Sequence, residues 1–142
     1  MHYKSIYKPT WYLNGGVRLS YSVKDEVLKC LDDLNVKYKF NVAKRGSSNV
    51  KYTFDIVANV KGEDIAINVA VGDRKYVMVE LVSFLIALID SNMKGVFITD
   101  QEADNVKKYK DTLVVVKYNK NTNMKHELSI ALFQLLTGKL KM

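Results

Sequence analysis

The feature of this sequence that most constrains its fold is a change of hydrophobic spacing near residue 35. Before it, apolar residues recur at three- and four-residue intervals, namely Val23, Val27, Leu28, Leu31 and Leu34. That spacing predicts an amphipathic helix, with Ser22 as its N-cap and Asn35 at its end. From Val36 to Val42 apolar residues alternate with polar ones, which indicates a half-buried strand. The chain must therefore combine helices and strands in one α/β fold.

The rest of the sequence extends this pattern to nine elements. Alternation predicts two more strands at Val50–Val60 and Ile65–Val71, joined by a turn at Lys61–Asp64. The later elements are a long, nearly all-apolar helix from Asp73 to Asn92, a buried parallel strand at Gly95–Thr99, a short polar helix at residues 101–110, a strand at Thr112–Tyr118 and a helix at Lys125–Leu136. The predicted order is α-β-β-β-α-β-α-β-α. We expect one domain, residues 1–142, with an aromatic N-terminal arm over residues 1–21.

Composition narrows the functional classes. Cys30 is the only cysteine, so an internal disulfide and a thiol zinc site are excluded, and a cytoplasmic location is expected. The most apolar stretch, Val77–Ile89, contains Glu80 and is too short to cross a bilayer, so we expect no membrane partner. The sequence also lacks the P-loop, GxSxG and GxGxxG motifs.

Charge points to a polyanionic partner. Twenty-two Lys and Arg against fifteen Asp and Glu give a net charge of +7, which favours nucleic acid. No acidic residue lies between Asp33 and Asp55, and this window supplies the candidate phosphate-binding residues Lys37, Lys39, Lys44, Arg45, Ser47, Ser48 and Lys51. Lys44–Asn49, here called the basic turn, lies at the centre of the window. A lysine-rich proteome would explain the total charge equally well, and the aromatic residues of the arm fit either base stacking or core packing.

Side-chain alternation predicts where Asp55 points. A regular hairpin closed at residues 61–64 would place Asp55 opposite Ala70, with Asn68 as its diagonal neighbour. All three side chains would then project from one face of the sheet.

Several of these features together resemble the PD-(D/E)XK, or restriction-endonuclease-like, superfamily. They are the α-β-β-β-α-β order, the helix residue Glu26, Asp55 in FDIVA, the strand IAINVAV, and the Gly/Ser-containing basic turn. Over roughly residues 22–118 the pattern is most similar to archaeal Holliday-junction resolvases and Mrr-like proteins. The resemblance implies a mixed sheet flanked by helices, and DNA rather than RNA as the partner.

The same resemblance implies a degenerate active site. The family holds Mg²⁺ with two carboxylates and places a lysine two residues after the second. Asp55 matches the first carboxylate, but Asn68 occupies the place of the second and Ala70 that of the lysine. We therefore expect a nucleic-acid-binding protein with impaired catalysis and no cofactor.

Two other interpretations remain open. In an active Mg²⁺-dependent endonuclease, Glu80 would replace the missing carboxylate beside Asp55, with Glu26 as a further acid and Lys75 or Lys51 as the cation. In an assembly subunit, the apolar helix and the last helix would form protein–protein contacts, and a homodimer is the expected state. Asp55 also has a purely structural interpretation, as an acceptor for the backbone or for Thr53.

Overall fold

The computed structural model describes residues 15–102 and 108–137, and within these ranges it is a six-stranded mixed sheet with helices on both faces. The helices are α1 (Gly15–Asp33), α2 (Arg74–Ser91) and α3 (Met124–Thr137). The strands are β1 (Lys37–Arg45), β2 (Lys51–Val60), β3 (Glu63–Val69), β4 (Lys94–Thr99), β5 (Lys108–Tyr109) and β6 (Leu113–Lys117). The expected α/β class is confirmed.

The sheet has the strand order β1-β2-β3-β4-β6-β5. Strands β1, β2 and β3 form an antiparallel meander. Helix α2 then crosses over and returns the chain to β4, which pairs in parallel with β3, and β6 pairs in parallel with β4. The predicted α-β-β-β-α-β order is therefore present.

The start of the first helix and the type of the seventh element differ from the sequence prediction. Helix α1 begins at Gly15, seven residues before the predicted cap Ser22, so the last third of the expected arm is helical. The remainder of the arm, residues 1–14, lies outside the described residues. The helix predicted at residues 101–110 is not found in the described part of this segment, where Lys108–Tyr109 forms β5, antiparallel to β6. Residues 103–107 are outside the described ranges.

The core has one cluster on each face of the sheet. Helices α1 and α3 pack over one cluster, which includes Val27, Ile56 and Leu128. Helix α2 packs over the other through Leu81, Phe84 and Leu88. Cys30 lies in the first cluster at 7% exposure, and burial, followed by the charges of nearby acids, raises the pKa of its thiol. It is therefore a small core residue, as the sequence suggests, and not a nucleophile.

Strands β1 and β2 both change face at the same level. Phe40 and Ile56, a cross-strand pair, pack towards α1, whereas the next pair, Val42 and Phe54, packs towards α2. In β1 the reversal coincides with Asn41, whose φ is 52°; asparagine tolerates this left-handed conformation better than most residues. In β2 it falls between Phe54 and Ile56, at Asp55. Strict alternation along the predicted strand Val50–Val60 implies one continuous apolar face; this is wrong, because the pattern of residue types does not reveal a reversal of this kind.

Helix α2 matches its predicted bounds. Asp73 caps its N-terminus by accepting a hydrogen bond from the Tyr76 backbone N–H, and Asn92 ends it in the left-handed conformation. Gly95 of β4 lies directly below, and a Cβ at this position would come within 2.7 Å of Phe84 and 2.8 Å of Leu88. The absent side chain thus lets the helix approach the sheet closely. None of the helices in the described ranges is long and apolar enough to cross a bilayer.

Candidate functional site

The β2–β3 hairpin sets the geometry around Asp55. Its turn contains two residues, Lys61 and Gly62, with φ of 52° and 83°, and Val60 pairs with Glu63. Two positive φ values are typical of the tight turns that match strand twist. The predicted four-residue turn is therefore wrong, and the register moves by two residues.

This register brings Asp55 and Asn68 together. The last ladder pair is Ile56 with Ile67, so the same register continued by one residue would set Asp55 against Asn68 instead of Ala70. The ladder ends there and β2 changes face between Phe54 and Ile56. Asp55 therefore contacts Lys24 of α1 and also lines a pocket with Asn68 on the α2 side. Ala70 is fully buried beneath α2, in the core cluster on the same face.

A pocket of about 240 Å³ opens where the β2–β3 ladder ends. Its polar lining includes Asp55, Asn68, Glu80 and Ser83, and Phe54, Phe84 and Ala87 contribute apolar walls. We call it the Asp55 pocket. Glu80, which the sequence offered as the replacement carboxylate, thus lies beside the same cavity as Asp55.

The pKa of Tyr76 is affected by both carboxylates of this pocket. Burial raises the pKa of the Tyr76 phenol above its usual value, and the negative charges of Glu80 and Asp55 raise it further. A phenolate is disfavoured next to anions, so this shift reports that both charges lie near the first turn of α2. The sequence analysis missed Tyr76.

Lys24 supplies the cation beside Asp55. Its Nζ lies 3.3 Å from Asp55 Oδ2, and the two side chains are 23% and 54% exposed. In the endonuclease interpretation the sequence offered Lys75 or Lys51 for this role. Lys24 belongs to α1, 31 residues before Asp55, and its sequence context carries no signal of the contact.

Glu26 interacts with Tyr118 and not with Asp55 or Lys24. Its carboxylate accepts a hydrogen bond of 3.3 Å from the hydroxyl of Tyr118, just after β6. Burial, and then the charge of Glu26, raise the pKa of that phenol. Within residues 15–102 and 108–137 no group of three or more His, Cys, Asp or Glu side chains is arranged to hold a metal ion. The Asp55 pocket therefore offers two carboxylates and one amide.

The candidate basic residues divide into two groups along edge strand β1. Lys37, Lys39 and Lys44 line an open groove of about 750 Å³ that also contains Tyr38 and Asn59. Lys44 lies 3.8 Å from Asp64, which offsets part of its charge. The second group consists of Arg45 at the end of β1, Ser47 and Ser48 in the turn, and Lys51 at the start of β2; all four are exposed and outside the lining of this groove.

The basic turn is fastened to the end of α2 by Asp90. The Asp90 carboxylate accepts hydrogen bonds from the Ser48 backbone N–H at 2.9 Å, the Ser48 hydroxyl and the Tyr52 hydroxyl at 2.8 Å. These bonds lower the pKa of Asp90, those from the side chains of Ser48 and Tyr52 contributing most. Ser48, predicted to contact phosphate, already uses its hydroxyl and its N–H within the protein. Arg45 likewise donates to the Asn49 carbonyl at 2.9 Å.

Gly46 makes room for this arrangement. A Cβ at residue 46 would lie 2.2 Å from Asp90 Oδ2 and 3.0 Å from the Tyr52 ring. The glycine that the family resemblance picked out thus serves the contact between the basic turn and α2.

Comparison with known proteins identifies the fold but no family. No protein-family model and no curated protein matches the chain. A crystal structure of a protein of unknown function, AF1548, matches with a TM-score of 0.52 at 19% sequence identity, covering 84% of this chain. The chain spans 66% of that protein's length. Similarity at this level of identity supports the α/β fold alone.

Proposed function

We propose that this chain binds nucleic acid, DNA in preference to RNA, and that its Asp55 pocket is the catalytically impaired site of a restriction-endonuclease-like fold. The observation that carries the proposal is that Asp55 and Asn68 line one pocket while Lys24 Nζ lies 3.3 Å from the Asp55 carboxylate. The α-β-β-β-α-β order supports the same family, and the single buried cysteine fits a cytoplasmic protein.

The donor set explains why catalysis would be impaired. Mg²⁺ binds through hard oxygen ligands and is held best by carboxylates. Asn68 contributes a neutral amide, and the Lys24 ammonium already balances the charge of Asp55. A divalent cation would have to displace this lysine to use Asp55 as a ligand.

The edge strand offers the binding surface. Lys37, Lys39 and Lys44 line one open groove beside β1, whereas Arg45 and Lys51 lie beyond the reversal at Asn41 and project from the other side of the sheet. Strands rise about 3.3 Å per residue, so the row from Lys37 to Lys44 extends roughly 23 Å. A row of that length can contact several phosphates of one duplex without reading its bases.

The binding test is fluorescence anisotropy with branched DNA, linear duplex DNA and RNA at increasing salt. We expect affinity to fall steeply with salt, and the double variant Lys37→Ala/Lys39→Ala to make the log–log slope shallower by about 0.9 for each lost phosphate contact. The matched control is Lys29→Ala/Lys125→Ala, which removes the same charge from exposed positions on α1 and α3. A slope near zero for the unmodified protein, or equal losses in both double variants, contradicts the proposal.

A Mg²⁺-dependent endonuclease is the second candidate, and the position of Glu80 favours it. Glu80 lines the pocket with Asp55, and both charges act on Tyr76. In this version Asp55 and Glu80 would hold the ion, and Lys24 would be the cation near the reacting phosphate. Incubating branched and linear DNA with Mg²⁺ or Mn²⁺ separates the two candidates: cleavage abolished in Asp55→Ala and in Glu80→Gln supports the enzyme, whereas cleavage that persists in Asp55→Ala comes from another source.

A further inference from the structure

Helix α2 exposes an apolar seam on the side that faces away from the sheet. The seam consists of Val79, Val82, Ile86 and Ile89, which are 59%, 56%, 54% and 52% exposed. The opposite side of the same helix buries Val77, Leu81, Phe84 and Leu88 in the core. Packing against the sheet therefore accounts for only one of its two apolar sides.

The spacing of the seam is that of a helix–helix contact. Successive members are three, four and three residues apart, the a/d spacing with which one helix packs along another. Lys75 lies one step of four residues before Val79 and ends the apolar run. We propose that α2 forms a homodimer interface in which the two copies of α2 pack against each other in antiparallel orientation.

Charge selects the antiparallel orientation. The N-terminal end of the seam carries Lys75, and the C-terminal end carries Asp90. A parallel pair would place Lys75 against the partner's Lys75, and Asp90 against the partner's Asp90. An antiparallel pair places each lysine near the partner's Asp90 and aligns the helix dipoles favourably. It also sets Val79 opposite the partner's Ile89, and Val82 opposite the partner's Ile86, so all four seam residues are covered.

This orientation has a consequence for the Asp55 pocket. Tyr76 borders the seam at 41% exposure, and its pKa already reflects the charges of Glu80 and Asp55. The partner's Asp90 would approach Tyr76 and bring its attached basic turn beside the pocket. Each nucleic-acid site would then combine the pocket of one copy with the cations of the other. This last step depends on the proposed function, whereas the dimer itself does not.

The seam is short, which sets the expected affinity. It covers three helical turns, less than the total of about 1,600 Å² buried by a typical stable interface. The dimer should therefore dissociate in the micromolar range, with monomer and dimer both visible as concentration changes.

Sedimentation velocity of the full chain across the micromolar range tests the dimer. We expect a concentration-dependent shift from monomer to dimer, and Val82→Glu should weaken dimerisation by at least about tenfold because it buries a charge in the seam. The control is Phe133→Glu, which alters a 65% exposed apolar residue on α3 and should leave dimerisation unchanged. A monomer at every concentration overturns the proposal. A dimer that survives Val82→Glu overturns it as well.

Cysteine pairing tests the orientation independently. Val79→Cys mixed with Ile89→Cys should give a disulfide-linked heterodimer under mild oxidation, and Cys30 is buried and does not compete. Val79→Cys alone should remain unlinked. Efficient self-linking of Val79→Cys would show a parallel pair and overturn the antiparallel arrangement. The readout needs no nucleic acid, so it is distinguishable from a failure of the proposed function.

Discussion

Asp90 and Asp55 are both carboxylates beside strand β2, yet their surroundings are opposite. Asp90 accepts three hydrogen bonds from neutral groups of the basic turn and of β2. Asp55 has Lys24 as its charged neighbour, keeps about half of its side chain exposed and faces a pocket with Asn68 and Glu80. The first arrangement holds two elements together, whereas the second leaves carboxylate oxygen accessible to a ligand. Mutations at the two sites should therefore separate into effects on stability and effects on binding.

The largest effect is expected at Gly46, on the Asp90 side of the comparison. Gly46→Ala should destabilise the protein by about 1–3 kcal/mol, because the added Cβ would overlap the Asp90 carboxylate. Denaturant unfolding measures this change. In an Asp90→Ala background the same substitution should lower the free energy of unfolding much less. An equal loss of free energy of unfolding in both backgrounds would disprove the steric explanation.

The second effect is on acid stability. The folded state lowers the pKa of Asp90, so its contribution is present above the unfolded pKa and is lost as pH falls through the folded pKa. Asp90→Asn should therefore lower the free energy of unfolding at neutral pH. Below about pH 4 the free energy of unfolding of this variant should fall less steeply with decreasing pH than that of the unmodified protein. Urea midpoints between neutral and strongly acidic pH test this, with Asp55→Asn as the matched carboxylate control. If the loss of stability at acid pH is the same in Asp90→Asn as in the unmodified protein, Asp90 does not make this contribution.

A smaller effect on stability is expected at Asp55. Its pairing with Lys24 is partly exposed, and such ion pairs contribute about 0–1 kcal/mol. Asp55→Ala should thus change the unfolding midpoint little, while DNA affinity without divalent cations should rise several-fold because one negative charge leaves the binding surface. Parallel unfolding and anisotropy measurements check both halves. A large loss of stability would favour the purely structural interpretation of Asp55.

The smallest effect is on the titration of Tyr76. Glu80→Gln and Asp55→Asn should each lower the pKa of Tyr76 towards its ordinary value, because each removes a neighbouring negative charge. NMR of ¹³C-labelled tyrosine resolves this phenol from the other eight in the chain. If only Glu80→Gln moves it, Asp55 points away from the pocket.

Local spacing predicted the α-β-β-β-α-β order because helices and strands impose different periods on the sequence, but it failed at residues 101–110, where Lys108–Tyr109 is a strand. Side-chain alternation predicted that Asp55 and Asn68 converge, and both line one pocket; because β2 changes face at Asp55, alternation alone does not account for this result. The contacts of Lys24 with Asp55 and of Asp90 with Ser48 join residues 31 and 42 positions apart, and spacing carries no information at that range. The face reversal at Asn41 was hidden for a different reason, since a single left-handed residue leaves the alternation of residue types intact.

That reversal also restricts how β1 and β2 can align. In ordinary antiparallel strands, sliding one strand by two residues returns every side chain to its original side, so sequence alone discriminates weakly between the two alignments. Here a two-residue shift would move the level at which one strand changes face away from the level at which its partner does. Cross-strand neighbours such as Phe40 with Ile56 and Val42 with Phe54 would then no longer pack on the same side of the sheet. The reversal at Asn41 therefore fixes the register of β1 against β2.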